Sequence, residues 1–313
     1  MIVQKKRAYD ILREIPYGTR PKVLLVGNGI NRPFSQKVRT DGIIEQAWEK
    51  AHPKDASQSD QGVPRALWDL PLPLQVVAAT GDNVQDCMTD LAKTFREATV
   101  PADQKVFTRQ IVDTGFDAIL TTNYSLEFEK SQLPVYTPGK VYSLYRTTNK
   151  QTTQQAKLGI YQCTELPDQN HTLLWHIHGT ALRKESMVMG QFYYGKLLSE
   201  VIARANSVNS EYRGKEKNGL SFRPKSWVDY FLIGDVYIMG FGLDLSESDI
   251  WWLLSFKKSA FENSSVIFYD PKKDLRKELL LDCYDVKIQT ERKGRQKTID
   301  YVAYYQSILQ KLK

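Results

Sequence analysis

Apolar residues in this chain gather into short runs that end on glycine, asparagine, histidine or aspartate, with longer stretches of helical spacing between them. Residues 22–26 (KVLLV) run straight into Gly27, Asn28, Gly29, Ile30 and Asn31. Residues 116–122 (FDAILTT) end on Asn123 and Tyr124, and 172–180 (TLLWHIHGT) end on two histidines and a glycine. Residues 235–242 (DVYIMGFG) end on glycines, and 266–270 (VIFYD) end on Asp270. Short, nearly continuous apolar runs are what strands buried on both faces look like. A last short strand is expected over 285–290.

Helical periodicity fills the intervals. It predicts helices over 5–16, 41–50, 83–97, 102–114, 124–130, 191–209, 227–233, 271–281 and 298–313, and an apolar one beyond Ser246. The 83–97 helix shows an apolar face of Val84, Cys87, Met88, Leu91 and Phe95. Gly115 reads as a C-cap. Residues 51–64 read as a polar, proline-containing loop, and Pro71 and Pro73 break the next stretch. Between 133 and 170 the pattern suggests short strands at 135–139 and 140–146 and a polar loop from 150, and 186–190 suggests another short strand. Strands alternating with helices imply an α/β fold with a Rossmann-like parallel sheet and helices on both faces. We expect one domain over 1–313, with 41–100 as a mostly helical insertion placed to cover a pocket.

Composition narrows the class. A hydrophobic content of 42% and a charged content of 25% are globular, and no apolar run is long enough to span a bilayer. The first residues mix charge with apolar positions and lack a signal-peptide core, so a cytoplasmic protein is expected. Cys87, Cys163 and Cys283 are too scattered for a disulfide framework or a CxxC zinc site and read as small buried hydrophobes, so no metal is expected. The net charge of +7 is compatible with anionic ligands such as nucleotides. Basic stretches at 213–225 and 291–297 read as exposed solvated loops, with nucleic-acid binding as a weaker alternative.

The strand ends carry the candidate chemistry, because open α/β sheets place ligands at the carboxyl ends of their strands. Glycines at 27 and 29 would let a pyrophosphate reach backbone amides; an ordinary tight turn is the alternative. Asn123 can donate to and accept from a ribose or a water, or it can cap the helix that follows. Alternation puts His176 and His178 on one strand face. Histidine moves protons near neutral pH, and Gly179 would admit a ligand beside it. Two hydrogen-bonded histidines without a reaction are the alternative. Ser246 and Asp249 have capping-box spacing, and Trp251 and Trp252 read as core.

In this order the motifs GNGIN, TTNY, HIHG and GFGLDLSESD resemble the sirtuin fold, and more narrowly the sirtuin-like NAD-cleaving domains of bacterial antiphage defence. The resemblance covers roughly 20–290. It implies a pyrophosphate loop at Gly27, Asn28, Gly29 and Asn31, and a ribose contact at Asn123 beside Thr122. It also implies a base at His178, a far wall at Gly240 and Gly242, and an adenosine-ribose contact at Asp270. It implies NAD+ as substrate, a hydrolase acting by NAD+ depletion in abortive infection, and a separate regulatory partner or self-assembly. A catalytically weak NAD- or nucleotide-binding sensor or scaffold is the alternative. Three features depart from the family pattern. The zinc ribbon of the deacylating members is missing, the loop after the glycines reads Asn31-Arg32-Pro33-Phe34, and Ser125 stands where an acidic residue follows the asparagine.

Overall fold

The computed structural model describes residues 12–34, 40–52, 63–81, 83–132, 141–143, 159–166, 170–272, 274–290 and 299–313. Most of the helix expected over 5–16, the 135–139 strand, most of the loop from 150 and the basic run 291–297 lie outside the described residues.

Eight strands form one sheet: β1 (Lys22–Val26), β2 (Ala118–Thr121), β3 (Val141–Ser143), β4 (Gln162–Glu165), β5 (Leu173–His176), β6 (Asp235–Met239), β7 (Val266–Tyr269) and β8 (Val286–Gln289). They lie in the order β3-β4-β5-β2-β1-β6-β7-β8. β3–β4 and β4–β5 pair antiparallel, and every other pair is parallel. Counted in chain order, the parallel strands run 3-2-1-4-5-6, the doubly wound order whose direction reverses between β1 and β6.

The central strands are apolar on both sides because helices cover both sides. On one face Val23, Leu25, Trp175, Val236 and Ile238 pack against α6 (Gln191–Lys217), α7 (Trp227–Ile233) and α8 (Ser248–Ala260). On the other, Leu24, Val26, Ile119 and Met239 pack against α4 (Ala102–Val112) and α10 (Tyr301–Leu312). A third core joins α1 (Thr40–Ala51), α2 (Leu72–Thr80) and α3 (Val84–Glu97) through Ile44, Val76, Met88, Leu91 and Phe95. It is closed by Met187 and Met189, which follow β5. Cys87 and Cys163 are buried, whereas Cys283 is exposed, contrary to its reading as core.

Local differences from the expected pattern have physical causes. α6 continues to Lys217, through residues expected in a basic loop. Two cations of that basic stretch are balanced, Arg223 by Glu14 and Lys225 by Glu211. No strand forms over 186–190: Ser186 closes a single helical turn (Lys184–Ser186), and the residues after it to Gly190 are irregular. β5 stops at His176, so Ile177 and His178 turn away and the two histidines do not share a strand face.

Where the sheet order reverses, two strand ends touch. Gly29 N–H donates to the Gly240 carbonyl at 2.6 Å, and Gly27 N–H to Met239 O at 3.3 Å. A Cβ on Gly29 would stand 2.5 Å from that same carbonyl oxygen, and Gly240 itself sits at φ 62, where side chains are disfavoured. These glycines therefore serve the close approach of β1 and β6. The amides that a phosphate cradle would need from Gly27 and Gly29 are already engaged. Gly29→Ala is expected to lower stability by about 1–3 kcal/mol. This would be read as a reduced urea midpoint with an unchanged slope. A variant as stable as wild type would mean that the two strand ends separate without cost.

Candidate active site

A cavity of about 460 Å³ opens at the carboxyl ends of β1, β2, β5 and β6. Its floor includes Asn28, Gly29, Thr122, Asn123, His178, Gly240 and Gly242. Its roof is apolar and comes from the 41–100 region: Ile44, Trp68, Leu72, Val76 and Phe95. Ligand pockets commonly have this volume and this mixture of apolar wall and few polar groups.

Asn123 ends β2 with its side chain clamped. Its Nδ2 donates to Glu127 Oε1 at 2.7 Å. Glu127 opens α5 (Glu127–Gln132) and is buried, so its charge has to be met by donors rather than water. Asn31 Nδ2 supplies one at 3.2 Å and Ser125 Oγ another at 2.6 Å. Only an amide N–H₂ can face the carboxylate in this way, which fixes the orientation of Asn123. Its Oδ1 is buried and has no partner among the described residues. Asn123 is not a helix cap. Ser125 does not leave the site without a carboxylate, because Glu127 provides one two residues further on.

His178 stands across the cavity floor. Its Nε2 lies 3.0 Å from Asp249 Oδ2 and 3.8 Å from Glu247 Oε2. Tyr194 packs edge-on to the ring at 5.3 Å. A carboxylate accepts, so Nε2 carries the proton and Nδ1 keeps the lone pair in the neutral ring. Burial alone would push the His178 pKa down. The charge and hydrogen bond of Asp249, with the charge of Glu247, more than reverse this, and the net shift is upward. Glu247 lines the cavity, and burial pushes its carboxyl up to about 7, with Asp249 and Asp244 adding to the rise against the pull of His178.

Sequence reasoning missed Asp249, because its spacing from Ser246 looks like a capping box. The N-cap of α8 is Glu247 with no side-chain cap, and the Ser246 hydroxyl donates to Asp244 at 2.6 Å. Asp249 is wholly buried in the first turn of α8 with its carboxylate on His178. Lys257 anchors that helix, donating at 2.7–2.8 Å to the carbonyls of Phe231, Leu232 and Gly234. The loop before α8 holds Leu243 at φ 47, a strain of about 1–3 kcal/mol that surrounding contacts must sustain. One of those contacts is Trp251 Nε1 donating to Asp244 O at 2.8 Å.

The remaining expected site residues divide. Asn28, Gly29, Thr122, Gly240 and Gly242 line the cavity, and so does Arg32, which was not singled out. Gly27 lies behind the β1–β6 contact. Asn31 is buried behind the floor, where its Oδ1 accepts from Gln104 at 2.8 Å. Asp270 is not in the cavity wall. Its carboxylate accepts from its own turn, Lys272 N at 2.8 Å, and pairs with Lys277 at 3.5 Å. His176 faces Glu129, away from His178.

One ligand atom each from His178, Glu247 and Asp249 lies within 4.8 Å of the others, so among the described residues this trio could hold a metal ion. Ligation through Nε2 would displace the proton that His178 shares with Asp249, so cation and hydrogen bond are alternatives.

No protein-family model and no curated protein matches the chain. Fold and site together define a class: an α/β protein with a doubly wound, mostly parallel sheet and, at its switch point, a cleft with a polar floor and an apolar roof. A histidine–carboxylate pair and a clamped asparagine face that cleft. Among the described residues no helix is long and apolar enough to cross a membrane.

The His178–Asp249 pair has a directional consequence. A raised folded-state pKa stabilises the protein fully below the unfolded value, and that stabilisation is lost as pH rises through the folded value. Asp249→Asn removes the main upward influence and leaves burial opposed only by the Glu247 charge, so the His178 pKa should fall. An NMR titration of its ring checks this; an unchanged midpoint would show that Asp249 does not control the ring.

Proposed function

We propose that this protein hydrolyses the nicotinamide–ribose bond of NAD+ in a sirtuin-like site. The observation that carries the reading is the pairing of two prepared groups on one cavity floor. Asn123 offers a buried amide oxygen with no partner among the described residues, suited to a ribose hydroxyl or a water. His178 offers Nδ1 as a base while Asp249 holds the other nitrogen.

The chemistry follows from these positions. Cleavage of the C1′–N bond sends its electron pair to nicotinamide, which leaves neutral, and positive charge develops on the ribose. Glu247 and Asp244 in the cavity wall favour that charge. Water aligned by Asn123 adds to C1′ and gives a proton to His178, so NAD+ and water become ADP-ribose, nicotinamide and a proton. The apolar roof keeps other water away. Asn28 and Arg32 stand where the pyrophosphate would lie, and Arg32 takes on the charge that the engaged amides of Gly27 and Gly29 cannot meet. Ser125 and the Asn31-Arg32 loop favour a non-catalytic nucleotide-binding sensor or scaffold; the Glu127 carboxylate on Asn123 weighs against that reading. In the cell, we infer NAD+ depletion in antiphage defence, held in check by a partner protein or a self-assembly.

Purified protein incubated with NAD+ should release nicotinamide and ADP-ribose. Asn123→Ala and His178→Ala should each lower kcat by about 100- to 10,000-fold. Arg32→Ala should mainly raise KM, by about tenfold. Bound but uncleaved NAD+, alone and with neighbouring gene products, would replace the hydrolase by a nucleotide-binding scaffold.

A further inference from the structure

His176 has partners of one kind on both ring nitrogens. Nδ1 lies 2.6 Å from the backbone carbonyl oxygen of Asn123, and Nε2 lies 3.0 Å from Glu129 Oε1. A carbonyl can only accept, so Nδ1 carries a proton. An ionised carboxylate can only accept, so Nε2 carries one as well. Both contacts are direct and both side chains are buried.

The surroundings agree with a charged ring. Glu127 and Glu129 both project from α5 and are both buried; both act on His176 and on Lys130, whose ammonium donates instead to the carbonyls of Phe95, Arg96 and Ala98. From β4, Cys163 shares a small cavity of about 20 Å³ with His176 and Glu129, and burial pushes its thiol upward, so it stays neutral. Thr164, Thr180 and Ser186 add only hydroxyls around that cavity. Burial opposes the charge on His176, but the charge and hydrogen bond of Glu129, the Asn123 carbonyl and Glu127 outweigh it.

We propose that His176 is a standing imidazolium that holds the Asn123 backbone in place, a positioning residue. Asn123 is then gripped at both ends: its amide by Glu127, its carbonyl by His176. If the ring lost either proton, a lone pair would face the Asn123 carbonyl or the Glu129 carboxylate, and one grip would become a repulsion. The functional half of the inference rests on the nicotinamide–ribose reading of Asn123; the protonation state does not.

The test separates the two halves. Long-range proton–nitrogen NMR of the histidine rings, with His176 assigned by loss of its signals in His176→Gln, should show both nitrogens of His176 protonated at and above neutral pH. His178 should titrate separately. A His176 ring with one protonated nitrogen, accepting a proton from a neutral Glu129, would overturn the proposal. Glu129→Gln should abolish the doubly protonated signature at neutral pH. It should also lower kcat for nicotinamide release by about 10- to 100-fold. KM should stay within about threefold of wild type. An unchanged kcat with the signature lost would overturn the positioning role. If wild type releases no nicotinamide, the NAD+ reading fails, and the NMR result still decides the state of His176.

Discussion

A carboxylate taken out of water has to be surrounded by donors, and at Glu127 that requirement organises the floor of the cavity. Its donors come from three places in the chain: Asn31 after β1, Asn123 after β2, and Ser125 in the loop before α5. Asn31 in turn accepts from Gln104 on α4, so the strand ends and a flanking helix are tied to one buried charge. Removing a donor would leave a charged oxygen unmet in the interior, which is far costlier than losing an exposed hydrogen bond. The same requirement leaves the Asn123 amide oxygen buried, with no partner among the described residues.

The site's charge runs against that of the whole chain. Net charge is +7, yet Glu127, Glu129, Glu247 and Asp249 are all buried at or beside the cavity. Such a cluster is unfavourable without donors, and His176 at the end of β5 and His178 just beyond it supply them, each against its own carboxylates. An acidic interior is also suited to a reaction that develops positive charge on a sugar.

Much of the scaffold was legible because it depends on local pattern. The apolar runs at β1, β2, β6 and β7 are short and bounded by glycine or polar residues, and helices fall between them. The helices at α3, α4 and α7 follow from their apolar spacing. Legibility failed where local signals had two meanings. Ser246 and Asp249 have the spacing of a cap, but tertiary packing turned Asp249 toward His178. Glycines at 27 and 29 look like a phosphate cradle, but the approach of β6 engaged their amides. Asp270 ends a strand at the edge of the crevice, but its carboxylate closed on its own turn.

By itself, the sequence determined an alternating strand–helix order and put asparagine, histidine and glycine at strand ends, because those features are set by neighbours in the chain. Which carboxylate meets which histidine was decided only by the tertiary structure. Glu129 is 47 residues from His176, and Asp249 is 71 residues from His178. Such partners are chosen by how helices seat on the sheet. The end of β5 at His176 then turned two residues of apparently equal standing toward different charges, one ring toward Glu129 and the Asn123 carbonyl, the other toward Asp249 and the cavity.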